Sequence, residues 1–120
     1  MSLDAILKTV LKAVPFQLTT DGGPEQARRR FAELPRQEVH PEVTAEDRSI
    51  DGPGGAIAVR IYRPQSGEPL LPAVIFIHGG GWVNGDRNGY AAAAIQFART
   101  GDYAAVAVGY RLTKEAHWPE

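Results

Sequence analysis

The first apolar residues of the chain are Leu3, Ile6, Leu7, Val10, Leu11 and Val14. Steps of three and one place them on one face of an α-helix. Ser2 can cap this helix, Asp4 suits its positive end, and Pro15 stops it. A helix with one apolar face is expected to pack on the rest of the protein. A second helix is predicted in DGGPEQARRRFAELP. Pro24 suits its first position, Glu25 and Gln26 its first turn, and Ala27, Phe31 and Leu34 its apolar face, before Pro35 ends it. Arg28, Arg29 and Arg30 would project about 100° apart, so they read as solvated side chains and not as one flat basic patch.

From Val43 the pattern changes. Val43 to Ile50 reads as a strand with mixed alternation, and Asp51 to Gly55 is a turn cluster. In the next strand Ile57, Val59 and Ile61 alternate with Ala58, Arg60 and Tyr62, which predicts a hairpin with one buried face. A proline-bearing loop, Pro64 to Pro72, leads to Ala73–Ile77 (AVIFI). That strand is apolar on both faces, as strands in the middle of a parallel sheet are. A glycine-rich turn follows, and then a helix over Asn88 to Arg99 with Tyr90, Ala91, Ala94, Ile95 and Ala98 as its buried stripe and Gly101 as its cap. Tyr103 to Tyr110 is the last strand. The order α, α, β, β, β, α, β ends in a strand–helix–strand unit, which implies parallel strands and an α/β fold. The strand Tyr103–Tyr110 is expected at an open sheet edge.

The 120 residues suffice for one domain-sized body. With 43% hydrophobic and 22% charged residues the chain should fold. A net charge of −1 argues against a nucleic-acid partner held by electrostatics. There is no cysteine, which removes disulfides, thiol nucleophiles and Cys-based zinc sites, and three histidines give a metal site little support. No run is apolar enough to span a membrane, and Asp4, Lys8 and Lys12 interrupt the N-terminal apolar residues, so no signal peptide is read there. A cytoplasmic protein is the expectation.

The chemistry concentrates in the turn after AVIFI: His78, Gly79, Gly80, Gly81, Trp82, Val83, Asn84, Gly85, Asp86. Three successive glycines carry a large cost in backbone entropy, which makes sense where the backbone adopts unusual angles and approaches something closely. A loop at the carboxyl end of a parallel strand is also where open α/β sheets bind ligands. Free N–H groups there can stabilise the oxyanion of an acyl-transfer intermediate. A dinucleotide-binding turn fits less well. Trp82 fills the space a pyrophosphate needs, the helix begins too late, and Asp102 precedes the next strand when it should follow it. A purely structural turn is the third reading.

Three stretches carry a resemblance: VRIYRP (Val59 to Pro64), AVIFIHGGGWVNGD, and AVGYRL (Ala107 to Leu112). Together they resemble the N-terminal part of an α/β-hydrolase of the hormone-sensitive-lipase-like (bacterial type IV) esterase family. The resemblance implies two cap helices over residues 1–40. It implies that residues 41–120 form the N-terminal half of the hydrolase core, an antiparallel hairpin and a parallel β-α-β unit of an incomplete central sheet. It further implies carboxylic-ester hydrolysis by a Ser-His-Asp triad, with no cofactor. The N–H groups of Gly80 and Gly81 would form part of the oxyanion hole, His78 and Gly79 would support the loop, and Trp82 would line the substrate pocket.

The family's Gly-x-Ser-x-Gly nucleophile elbow does not occur. The serines are Ser2, Ser49 and Ser66, none flanked by glycines at that spacing, and His117 has no acidic partner at a telling position. In the family order the triad follows the strand that ends in Tyr110, Arg111 and Leu112. The expectation is therefore the oxyanion portion of a longer esterase, inactive alone, whose partners are a small ester and the remainder of the hydrolase fold, and which self-associates through its open edge. A non-catalytic homologue or small-molecule binding module is the alternative.

Overall fold

The computed structural model describes residues 4–14, 21–36, 38–65 and 67–117. The expectations for Ser2, Leu3, Pro15 and Ser66 lie outside these residues. The chain divides into two compact units, Met1–Leu34 and Pro35–Glu120.

The first unit holds α1 (Ala5–Ala13) and α2 (Gly23–Ala32). Asp4 itself is the cap of α1: its carboxylate accepts from the Ile6 and Leu7 amides at 2.8 and 3.4 Å. The apolar side chains Ile6, Leu7 and Val10 are exposed, and α1 has no buried residue. Helix α2 follows Gly22, whose φ of 81° is left-handed. Gly23 is its first residue, so Pro24 falls second, still within the turn whose N–H groups have no helical acceptor. Ala27, Phe31 and Leu34 are half-buried.

The second unit is a four-stranded sheet in the order β1-β2-β4-β3. β1 (Val43–Gly52) and β2 (Gly55–Pro64) form the expected hairpin, closed by Pro53 and Gly54. β3 (Ala73–Ile77) leads through a short 3-10 helix (Arg87–Tyr90) into α3 (Ala91–Gly101) and then β4 (Ala104–Gly109). β4 pairs parallel to β3 and antiparallel to β2. This reverses the expected edge. β4 lies inside the sheet and β3 is its edge, because the hairpin takes β4's second side. Ile75 and Ile77 on β3 are accordingly 65% and 68% exposed.

The helix-covered face of the hairpin is the one that carries Tyr62. Register puts Tyr62 beside Ala105 and Arg60 beside Ala107, and α3 covers that face. The core there joins Val43, Tyr62, Ala105 and Ala107 to Ala91, Ala94, Ile95 and Ala98 of α3, with Phe76 packed against it. Ile57 and Ile61 share the opposite face with Val106, Val108, Ile75 and Ile77, and they stay half-buried, while Val59 and Ala104 there are buried. The small side chains of the α3 and β4 alanines leave room on the helix-covered face for the fully buried Tyr62 ring. Tyr90 belongs to the 3-10 helix and is 38% exposed, outside the stripe expected of it.

The end of α3 departs from the expected glycine cap. Gly101 is the last helical residue, and Asp102 takes the left-handed position with φ 51°. Asp tolerates that conformation better than most residues. Gly101 is needed for space, since a Cβ there would lie 2.5 Å from the Tyr103 ring. An Arg99–Glu42 ion pair at 2.9 Å ties α3 to the entry of β1. Among the described residues no helix is long and apolar enough to cross a membrane, and no group of three or more His, Cys, Asp or Glu could hold a metal ion.

Candidate functional site

The loop His78–Asp86 leaves the carboxyl end of β3, where the parallel pair β3–β4 opens. His78 is the one polar residue fully buried among those described. Its ring stacks on Tyr110, just past β4, with centroids 4.1 Å apart and planes 12° from parallel. Its Nδ1 lies 2.8 Å from the Gly79 carbonyl oxygen, and the Tyr110 hydroxyl donates to the His78 carbonyl at 2.6 Å. His78 therefore clamps the first residues of the loop to the neighbouring strand.

The glycines that follow divide into two kinds. Gly80 has φ 124°, and a side chain on it would overlap the Asn84 carbonyl. Its own carbonyl accepts from the Val83 and Asn84 amides, both at 3.1 Å, so the chain turns back on itself. Gly85, with φ 99°, closes the loop onto its start: a Cβ there would lie 2.5 Å from the Gly79 carbonyl and 2.6 Å from His78 Nδ1. Gly81 has φ 60° but open space around it. Among the described residues nothing accepts a hydrogen bond from the N–H groups of Gly80 or Gly81.

Trp82 continues the left-handed path with φ 58°, uncommon for an aromatic residue, and is 71% exposed. Its carbonyl accepts from the Thr113 amide at 2.9 Å. Trp82 lines a cavity of about 620 Å³ with Ile57, Tyr110, Arg111, Ala116 and His117. Gly79, Gly80 and Gly81 are not in its lining.

Beyond the glycines, the Asp86 carboxylate accepts from the Asn88 and Gly89 amides at 2.8 and 3.0 Å, which starts the 3-10 helix. The Asn88 side-chain amide donates back to Asp86 at 3.1 Å and accepts from Arg60 Nη1 at 2.8 Å. The rest of the Arg60 guanidinium forks onto Asp47, with both bonds 2.7 Å. Arg87 adds a second cation 3.4 Å from Asp47. The Arg60 hydrogen bond holds the Asp47 carboxyl below the usual carboxylate range, and Asp47 in turn raises Arg60.

Sequence reasoning singled out His78, Gly79, Gly80, Gly81 and Trp82. It missed Tyr110, Asn84 and Gly85 as parts of the loop's support. It also missed Asp47 and Arg60, because both contacts run between strands. A charged residue beside Tyr62 on β2 was the available signal.

The BD-FAE family model matches residues 59–120. Over 120 residues the chain is 44% identical to Esterase LipI of Mycobacterium tuberculosis, covering 98% of this chain and 38% of LipI. Carboxylesterase NlhH of the same species is 34% identical over 119 residues, covering 98% of this chain and 37% of NlhH. The crystal structure of DphMB1 superposes with a TM-score of 0.75 at 51% identity, over 98% of this chain and 38% of that one. The chain thus spans about 38% of the length of the LipI-type relatives it matches. Its strand, glycine loop, helix and strand, taken with these matches, mean that the chain belongs to the BD-FAE family and corresponds to the N-terminal portion of a hormone-sensitive-lipase-like α/β-hydrolase esterase.

Proposed function

We propose that this chain supplies the oxyanion-stabilising part of a carboxylic-ester hydrolase. The observation that carries the reading is the pair of unengaged N–H groups on Gly80 and Gly81, held at the carboxyl end of β3. In acyl transfer the ester carbonyl becomes a tetrahedral oxyanion, and preorganised N–H donors stabilise that charge as it forms. His78 and Gly79 act as loop support, through the Tyr110 stack and the Gly85 contact. Trp82 contributes an apolar wall for the ester. The serine, histidine and aspartate of the reaction come from polypeptide outside this sequence, as do the strands and helices that complete the sheet beside β3. Helices α1 and α2 serve as part of a cap, and the working protein is cytoplasmic.

A chimera tests this. Residues 43–117 of this chain replace the matching segment of LipI, and hydrolysis of a short p-nitrophenyl ester is measured. The chimera should turn over. Gly81→Ala keeps the N–H but sets a methyl in the open space beside it, so kcat should fall by about 100-fold with a smaller change in KM. A folded chimera without activity, or full kcat in the variant, would remove the proposed role.

A further inference from the structure

We propose that Arg60 is a positioning residue for the glycine loop and acts on it from two strands away, through Asn88 and Asp86. The relay is continuous. Asp47 on β1 and Arg60 on β2 are direct register partners in the hairpin. Two nitrogens of the guanidinium, Nε and Nη2, are committed to Asp47, and this bidentate grip fixes the plane of the fork. The third, Nη1, is thereby aimed at Asn88 Oδ1, 2.8 Å away.

Accepting that bond determines which end of the Asn88 amide faces Asp86. The nitrogen end points there and donates to Asp86 Oδ2 at 3.1 Å. The other Asp86 oxygen takes the Asn88 and Gly89 amides. Asp86 directly follows Gly85, which sits against the Gly79 carbonyl and the His78 ring. A shift of Asp86 is therefore passed through Gly85 to its contact with Gly79 and His78 at the start of the loop. Arg60 and Arg87 are half-buried and both face Asp47, so the carboxylate is shared by the strand and by the loop's exit.

The fork is the essential property. A lysine ammonium at position 60 could pair with Asp47, but it is a point charge on a flexible stem and cannot hold two partners in one plane. An ion pair that only joined β1 to β2 would accept lysine. A residue that aims Asn88 would not.

The claim about position stands on geometry alone, whereas its meaning for catalysis rests on the ester-hydrolysis reading. The test is therefore made on the 120-residue chain and needs no activity. Hydrogen exchange read by mass spectrometry is compared for wild type, Arg60→Ala, Arg60→Lys, Asn88→Ala and Arg48→Gln. The last breaks the exposed Arg48–Glu46 pair on the same hairpin and serves as control. Loop peptides carry the Val83 and Asn84 amides bonded to Gly80. In Arg60→Ala, Arg60→Lys and Asn88→Ala these should exchange about ten-fold faster. Peptides of β4 should keep their protection, and Arg48→Gln should match wild type. Lysine restoring loop protection would reduce Arg60 to a charge and overturn the proposal. So would equal acceleration in β4 and the loop, or wild-type exchange in Asn88→Ala.

Discussion

Tyr110 holds His78 twice, by a 2.6 Å hydrogen bond from its hydroxyl to the His78 carbonyl and by the stack of its ring on the imidazole. One side chain at the end of β4 thereby sets both the backbone and the ring of the residue that starts the glycine loop. Tyr110→Phe separates the two effects, since it keeps the stack and removes the bond. It should lower stability by about 1 kcal/mol, more if the carbonyl is left without a partner. The midpoint of urea unfolding measures this.

Alanine at the loop glycines should give a definite order of damage. Gly80→Ala meets the Asn84 carbonyl at an unfavourable φ, and Gly85→Ala meets Gly79 and His78, so each should cost about 2 kcal/mol or more. Gly81→Ala meets nothing and bears only left-handed strain, about 1 kcal/mol. Thermal melts of the three variants give the order directly. A Gly81 variant as damaged as Gly80 would contradict the loop geometry.

Acid should loosen the hairpin through Asp47. Its carboxyl is held below the usual range first by the Arg60 hydrogen bond. A carboxyl whose folded pKa is depressed adds stability above its unfolded pKa and loses it as pH falls through the folded value. Stability should therefore decline below roughly pH 4. Asp47→Asn should flatten that decline, as read from unfolding midpoints across the acid range. Glu42 and Glu46, depressed by Arg99 and Arg48, add to the same slope and leave some of it in the variant.

The loop chemistry was legible because it is local. Three glycines between an apolar strand and Trp82 are contiguous in the chain, and their strain shows in composition. The hairpin, α3 and its alanine stripe were legible for the same reason, as periodicity. Position in the sheet was not. AVIFI is apolar on both faces, which suits an interior strand, yet neighbours come from pairing, and β2 claims the second side of β4. The Tyr110 stack and the Asp47–Arg60–Asn88 relay escaped for that reason too. Each joins residues that share no pattern along the chain. Asp4 and Asp102 show the finer limit, where neighbouring residues competed for one capping position and a single hydrogen bond or φ angle decided.

The exposed edge gives a solution prediction. β3 offers unpaired backbone with Ile75 and Ile77 open to water, which is a template for association. The 120-residue chain should elute as more than a monomer in size-exclusion chromatography with light scattering, and should bind a hydrophobic dye. Ile75→Lys with Ile77→Lys should reduce both. A sharp wild-type monomer without dye binding would show that the edge is protected. The same preparation should not hydrolyse p-nitrophenyl acetate above a control protein, because donors for an oxyanion do not attack a carbonyl.

The strand order also has a consequence for the chain as it is made. Among the described strands only β4 touches both the hairpin and β3, and it is translated after both. Until Gly109 has left the ribosome, the completed hairpin has no sheet to join. At ordinary translation rates that wait lasts several seconds, far longer than a hairpin needs to form. During it the inner edge of β2, with Ile57, Val59 and Ile61, stands open. A holding chaperone would find its target in that interval.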